Sequence, residues 1–382
     1  MTTPATSTPV NETAAPAARR AAELDAKLGV VREALGGQSL DAVRLRGSDW
    51  FAWATCGGSS VVDSTLERGA AEVLITASEA LVLADRIDAE RLRDEQVIDG
   101  YTLVELPWAD GAAREEAIRD RTGGARAVAS DRPRQGELPL PAGLAAGRLR
   151  LMPAEVDRYR KLGRDAARGL TGTLSAARPE MTEVELGAAV AGEIIRGGMW
   201  PMVVLVGGSR RQLAYRHPVP LPGEPIGGRV MVVVCARRHG LVANLTRSAS
   251  FREPTASERS RADAVAQVEA AALDASVPGA TLGAVYAAIV AAYARAGYGG
   301  AEFDHHQGGI TGYRSRDELA RPGAPTTIGA GTALAWNPSL PGAKIEDTVV
   351  VTDTGLEVMT VDPAWPTVAV AGRVRPDVLV LD

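Results

Sequence analysis

Cysteine is nearly absent: Cys56 and Cys235 are the two thiols in 382 residues. Two cysteines cannot build a disulfide framework and show no zinc-ligand spacing, so a reduced, cytoplasmic setting is the simplest reading. Phenylalanine (three residues) and lysine are scarce as well, and arginine, alanine, glycine and valine take their place. No apolar run is long enough to span a bilayer. No Lys/Arg cluster marks a phosphate-binding face, and the formal net charge is -5, which excludes nucleic acid and membrane as expected partners. No short-period repeat occurs. What remains is ordinary for a globular chain, with 46% hydrophobic and 23% charged residues. The length predicts two domains with cores large enough to need no disulfide or metal support.

Residues 1–20 are rich in Thr, Ala and Pro and lack the apolar stretch of a signal peptide, so they read as a disordered leader. Leu24, Leu28, Val31 and Leu35 then give the period of an amphipathic helix over 21–35, expected to stop at Gly36-Gly37. Apolar runs at 42–45, 72–75, 80–83 and 102–106 read as strands, with a charged helix at 89–97. This alternation predicts an N-terminal α/β domain over 21–147. Its end, around 133–147, carries Pro139 and Pro141 among small residues, as a domain junction does. The second domain, 148–382, opens on Pro153, with Val156, Tyr159, Leu162 and Ala166 on one helical face. Thr182 and Glu185 form a capping-box signature for the next helix. Strands follow at 203–206 and 230–234, helices at 256–276 and 282–296, and strands at 334–336, 348–352 and 357–360.

Six blocks of the second domain, in order, carry a resemblance. They are Ala154-Glu155-Val156 through Arg164, then Thr182 to Leu186, Leu213 to Pro218, Gly240 to Arg247, and Gly308 to Gly312. The last is Asn337-Pro338 followed by Ile345 to Thr352. Over residues 151–362 the chain resembles the pita-bread catalytic domain of the creatinase and Xaa-Pro aminopeptidase family, peptidase family M24. The resemblance implies a pita-bread α/β fold after a smaller creatinase-type N-terminal α/β domain, and a homodimer.

In the metal-dependent members, two aspartates, a histidine and two glutamates bind a pair of divalent ions. The matching positions here are Val233, Asn244, Gly309, Asn337 and Glu346. Valine and glycine supply no side-chain donor, and an asparagine supplies only a neutral oxygen. The expectation is therefore no tightly bound metal and no cofactor; His305 and His306 with Glu346 are the alternative, as ligands of a single ion. Creatinase, similar in fold, works with protein groups alone. Its proton-transfer histidine sits in a segment that resembles His217-Pro218, and its arginine–glutamate pair resembles Arg316-Asp317. Creatine itself is not expected, because Gly309 and Asn337 replace residues that creatinase keeps.

Each candidate has a structural reading beside the functional one. His217 is either a packed histidine or the proton-transfer group, for which a pKa near neutrality is suited. Glu346 is either paired to an arginine or to Lys344, or else a proton acceptor or anchor for a substrate nitrogen. On an extended segment adjacent side chains diverge, so at most one of His305 and His306 is expected to face the site, with His306 favoured as a catalytic group. Gln307 offers an amide to the substrate or to its own loop. Arg316, and less directly Arg210 and Arg211, are guanidinium partners for a substrate carboxylate. Asn244, Asn337 and Tyr215 complete the substrate-binding set. Trp50, Phe51 and Trp53 read as core rather than as a lid, and Cys235 as a small buried residue.

The functional expectation is a metal-independent, creatinase-like hydrolase of C–N bonds in a small, polar, carboxylated substrate. His217 and Glu346 carry the proton chemistry and Arg316 the clamp. The alternatives are a metal-dependent Xaa-Pro aminopeptidase, an inactive small-molecule-binding protein, and a lyase, dehydratase or cyclase.

Overall fold

The computed structural model describes residues 14–122 and 127–381, in two compact units that divide after Ala145. The first unit is built on a six-stranded sheet. Its strand order is Thr102–Leu106, Ala80–Asp85, Arg68–Thr76, Ala42–Gly47, Val128–Ser130, Leu138–Pro139. Val43, Val73, Leu74, Val82 and Leu83 are wholly buried in it. Trp50, Phe51 and Trp53 lie on the short helix Ser48–Ala54 and are buried. Arg68 opens its strand exposed. Arg44 is enclosed in this unit, and its guanidinium meets Glu72 in a bidentate pair at 2.8 and 2.9 Å.

Two expectations for this unit need correction. The first helix runs Ala14–Gln38, so it begins inside the expected leader and passes through Gly36 and Gly37. It ends where Ser39 turns to φ 52° and Leu40 donates back to the Leu35 carbonyl. Two glycines cost a helix about 1 kcal/mol each, which the burial of Leu24, Leu28, Val31 and Leu35 outweighs. Residues 1–13 lie outside the described residues. The helix Gly111–Arg121 was also unforeseen, although Asp110 caps it by accepting from Ala112 and Ala113.

The second unit pairs two larger sheets with two helix pairs and adds two two-stranded hairpins, Ser339–Leu340 with Ala343–Lys344 and Thr367–Val370 with Arg373–Pro376. Helices Pro153–Ser175 and Glu183–Arg196 precede a four-stranded sheet of Trp200–Gly208, Arg229–Arg238, Leu241–Ser250 and Leu379–Val380. Helices Ala256–Ala275 and Leu282–Arg295 cover a five-stranded sheet of Glu318–Leu319, Gly308–Thr311, Ala333–Trp336, Asp347–Thr352 and Gly355–Val358. The capping box forms as its residues dictate: Thr182 N donates to Glu185 at 2.8 Å, and Glu185 N to the Thr182 hydroxyl at 3.2 Å. A β-bridge from Thr246 to Glu346 and a hydrogen bond from Val242 N to the Gly312 carbonyl help to stitch the two larger sheets together. Among the described residues no helix is long and apolar enough to cross a membrane.

Candidate active site

Strand alternation decides which side chains meet between the sheets. In the five-stranded sheet Ile310, Leu334, Trp336, Val349 and Val351 belong to the helix-covered core. Gly309, Thr311, Ala335, Asn337 and Thr348 therefore take the other face. In the four-stranded sheet Asn244 lies opposite Cys235 and Thr246 opposite Val233, and directly opposed residues share a face. The hydrogen bond from Asn244 Nδ2 to Thr311 Oγ1, 2.9 Å, joins the two faces.

Glu346 is the anionic centre of this cleft. It is 2% exposed. Arg316 Nη2 donates to it at 2.6 Å, Thr246 Oγ1 at 2.9 Å, and Lys344 Nζ stands 3.6 Å away. Burial alone would raise its pKa, but Lys344 and Arg316 outweigh that and hold the carboxyl down at about 2. Lys344 is reciprocally destabilised as a cation by burial and by Arg316, with Glu346 opposing. The Cys235 thiol is pushed up to about 11 by burial and the Glu346 charge, so it stays protonated and unreactive at neutral pH.

Three imidazoles lie beside this group. His217 follows the single helical turn Arg211–Ala214, and its Nε2 is 2.8 Å from His305 Nε2. One of these nitrogens must donate and the other accept. His305 and His306 stack with ring centroids 4.4 Å apart, and nitrogens of all three rings fall within 4.8 Å of one another. Arg216, next to His217, donates to Asp304, next to His305, at 3.1 Å, which ties the two segments. His305 is buried, whereas His217 and His306 are partly open to solvent. Partial desolvation, then the cationic neighbours, depress all three pKa values: His305 to about 2, His306 to about 4, and His217 below its usual value. At neutral pH they are free bases.

Several expected placements change. His305 and His306 both join His217, because residues 304–305 form a bend rather than an extended strand. Gln307 is wholly buried and spent: its oxygen accepts from Tyr293 and its nitrogen donates to the carbonyls of Glu302 and His305. It shapes the histidine turn instead of presenting an amide to a substrate. Arg210 is drawn away to Glu224. Arg211 is held by buried Glu183 and the Val219 carbonyl and lies over the Tyr215 ring, itself half exposed. Arg210 and Arg211 are thereby held by Glu224 and Glu183. Arg316, Glu346 and Asn244, by contrast, meet between the sheets, Asn337 lies on the same face, and His217 is close enough to sense the charges of Lys344, Glu346 and Arg316. Asp317, the neighbour of Arg316, is taken by Arg148 at 2.5 Å. Sequence reasoning missed Thr246 as a member of the cleft. Lys344 it named as a partner of Glu346, which pairs with both it and Arg316, and Cys235 it read as a small buried residue, which it is. Lys344 had a legible signal: it stands two residues before Glu346, and i, i+2 residues share a face in extended chain.

The paired-ion ligand set does not fit these positions. Among Val233, Asn244, Gly309, Asn337 and Glu346 the one carboxylate already carries Arg316 and Lys344, so protein cations stand where metal charge would be needed. Gly309 has no room for an imidazole, since a Cβ there would lie 2.1 Å from the Glu318 carbonyl oxygen. The imidazole trio is the arrangement that could hold a single transition ion. Its third member is His217, not Glu346, and Arg316 and Lys344 oppose a cation there.

A sequence profile of Metallopeptidase family M24 matches residues 157–353. The chain belongs to this family. Among solved structures, a prolidase from Pyrococcus horikoshii OT3 is similar over 88% of this chain and 98% of its own, with TM-score 0.75 and 18% identity. An Xaa-Pro dipeptidase from Bacillus anthracis is similar over 94% and 100%, with TM-score 0.73 and 18% identity. These likenesses establish the pita-bread fold of this M24 member. A curated relative, the agropine synthesis cyclase of Rhizobium rhizogenes, is 30% identical over 178 residues; the match spans 42% of this chain and 43% of the relative.

Proposed function

We propose that this M24 chain is an enzyme that works without the paired metal ions, by proton transfer at His217, on a small, polar, nitrogen-containing carboxylated substrate. C–N bond hydrolysis is the reaction. The observation that carries this reading is the free-base imidazole pair, His217 and His305, beside a carboxylate already neutralised by arginine and lysine. In it His217 takes a proton from water as the bond to carbon forms and returns it to the departing nitrogen. His305 holds the imidazole through its Nε2 contact. Glu346 orients the substrate nitrogen, and Arg316 faces the substrate carboxylate.

The 30% identity to a protein named a cyclase favours a second reading with the same groups. There a hydroxyl or amine of the substrate attacks its own carboxyl carbon. His217 takes the proton of the attacking group and returns it to the carboxyl oxygen, and that oxygen leaves as water as the ring closes. Mass spectrometry separates the two: hydrolysis adds the mass of one water to the substrate, and ring closure with condensation removes it.

The test is turnover of a panel of small amides, lactams and guanidino acids by the full-length protein. His217→Ala is expected to lower kcat by about 100-fold or more, the usual share of a positioned general base. If turnover is the same with His217→Ala as with the wild type, His217 is not the proton-transfer group; if no member of the panel is turned over, the enzyme reading fails and a binding role replaces it.

A further inference from the structure

The cleft sets the Arg316 guanidinium and the buried Lys344 amine against one carboxylate. Arg316 and Lys344 share Glu346, and the three imidazoles are depressed into their neutral form. Lys344 is the less satisfied of the two. Its side chain is 3% exposed, and its ammonium lies 3.6 Å from Glu346, longer than a good hydrogen bond. A buried ammonium with one long carboxylate contact is costly unless something else supplies negative charge. Composition sharpens the point. Of 42 basic residues the lysines are Lys27, Lys161 and Lys344. Lys27 is held by Glu23 and the Trp53 carbonyl, and Lys161 by Asp165. A chain that otherwise uses arginine places a lysine here, a compact point charge with three rotatable donors.

On the same faces stand two amides whose oxygens have no partner among the described residues. Asn244 is fully buried, and its Nδ2 donates to the Val242 carbonyl and to Thr311 Oγ1. The Thr311 hydroxyl spends its own hydrogen on the Arg314 carbonyl, so it can only accept from Asn244. The amide orientation is therefore fixed, and Asn244 Oδ1 is left without a partner. Asn337, 2% exposed, likewise has a buried Oδ1 without one. Buried acceptors of this kind are rare, because each forgoes its hydrogen bond to water.

We propose that Lys344, with Arg316, binds the anionic group of the substrate, and that the Asn244 and Asn337 oxygens accept from hydroxyl or amino groups on it. The ligand class is a small carboxylate bearing O–H or N–H donors. This rests on the cleft being the substrate site proposed above, and it adds Lys344 as the second anion-binding group.

Four probes of one length test it by saturation-transfer NMR titration of the full-length protein: butyrate, 4-hydroxybutyrate, 4-aminobutyrate and butane-1,4-diol. Butyrate is expected to bind and the diol not to. At least one of the two donor-bearing acids is expected to bind several-fold more tightly than butyrate, and which one does so tells hydroxyl from amine. Lys344→Met should weaken every acid by about tenfold or more, as loss of a buried charge partner does, and Lys344→Arg should restore part of it. Diol binding equal to butyrate, or Lys344→Met binding butyrate like the wild type, overturns the anion assignment. Neither donor-bearing acid exceeding butyrate overturns the role of the asparagines. The ordering of the probes needs no variant, so it decides even where Lys344→Met does not fold. Binding is read without turnover: a protein that binds as expected yet converts nothing contradicts the enzyme reading alone.

Discussion

At the scale of single residues the cleft is a place where burial and charge act together on protonation. His305 is the clearest case. The residue is 8% exposed, its Nδ1 has no partner among the described residues, and burial, Lys344 and the neighbouring imidazoles hold its pKa at about 2. An unfolded histidine titrates near 6.5. The folded value is depressed, so its contribution to stability is present above pH 6.5 and is lost as pH falls towards the folded value. Each pH unit below 6.5 costs up to about 1.4 kcal/mol for such a group, somewhat less with the solvent access that His305 retains. Between pH 6.5 and 4.5 ordinary carboxylates contribute little, and the Glu346 contribution is lost only as pH falls below about 4.5 towards its folded value near 2. Denaturant titrations across that upper window should show the wild type losing stability more steeply than His305→Asn. Parallel slopes would mean that His305 is not kept neutral in the folded state.

At the scale of elements, the helices of the second unit and its most apolar strands were legible because their apolar periods are long and clean. The strands Leu241–Ser250 and Gly308–Thr311, mixed in polar residues and glycine, were not read as strands. The capping residues Thr182 and Glu185 do locally what their sequence spacing says. Two parts of the site were not legible, for different reasons. Convergence of His305 with His306 depends on a bend that the buried Gln307 amide holds by bonding the carbonyls of Glu302 and His305, and no local pattern encodes that. The capture of Arg211 by Glu183 joins residues 28 apart in sequence. Gly309 shows how the element limits the chemistry. Its φ of +154° and the backbone of Glu318 and Ala320 within 3 Å of a would-be Cβ leave no place for a side chain. Gly309→Ala should therefore destabilise the protein by about 2 kcal/mol or more. Gly192, inside the helix Glu183–Arg196 with open space around it, should gain about 0.5–1 kcal/mol on the same substitution. Equal midpoints for the two variants in chemical denaturation would show that the strand at Gly309 can yield, and the steric case against a histidine there would fall.

At the scale of the whole molecule the question is where the positive charge of this M24 cleft comes from. In a paired-ion site it would arrive from outside, and folding would be linked to it. A ligand present at 100 times its Kd stabilises the state it binds by about 2.7 kcal/mol, which a melting curve reads easily. Here Arg316 and Lys344 are covalent parts of the chain, and they already neutralise the carboxylate that such ions would need. The fold should therefore owe nothing to added metal. Protein purified without chelator is expected to carry less than one equivalent of divalent transition metal per chain, and EDTA should leave Tm and turnover unchanged. Arg316→Met should lower Tm in EDTA and in zinc-containing buffer alike, since a buried carboxylate that loses its partner is strongly destabilising, by about 3–5 kcal/mol for a fully buried pair. Recovery of that loss by added zinc would show that the cleft accepts a metal in place of the guanidinium. Two retained equivalents in the wild type would mean that the metals, not the side chains, supply the charge.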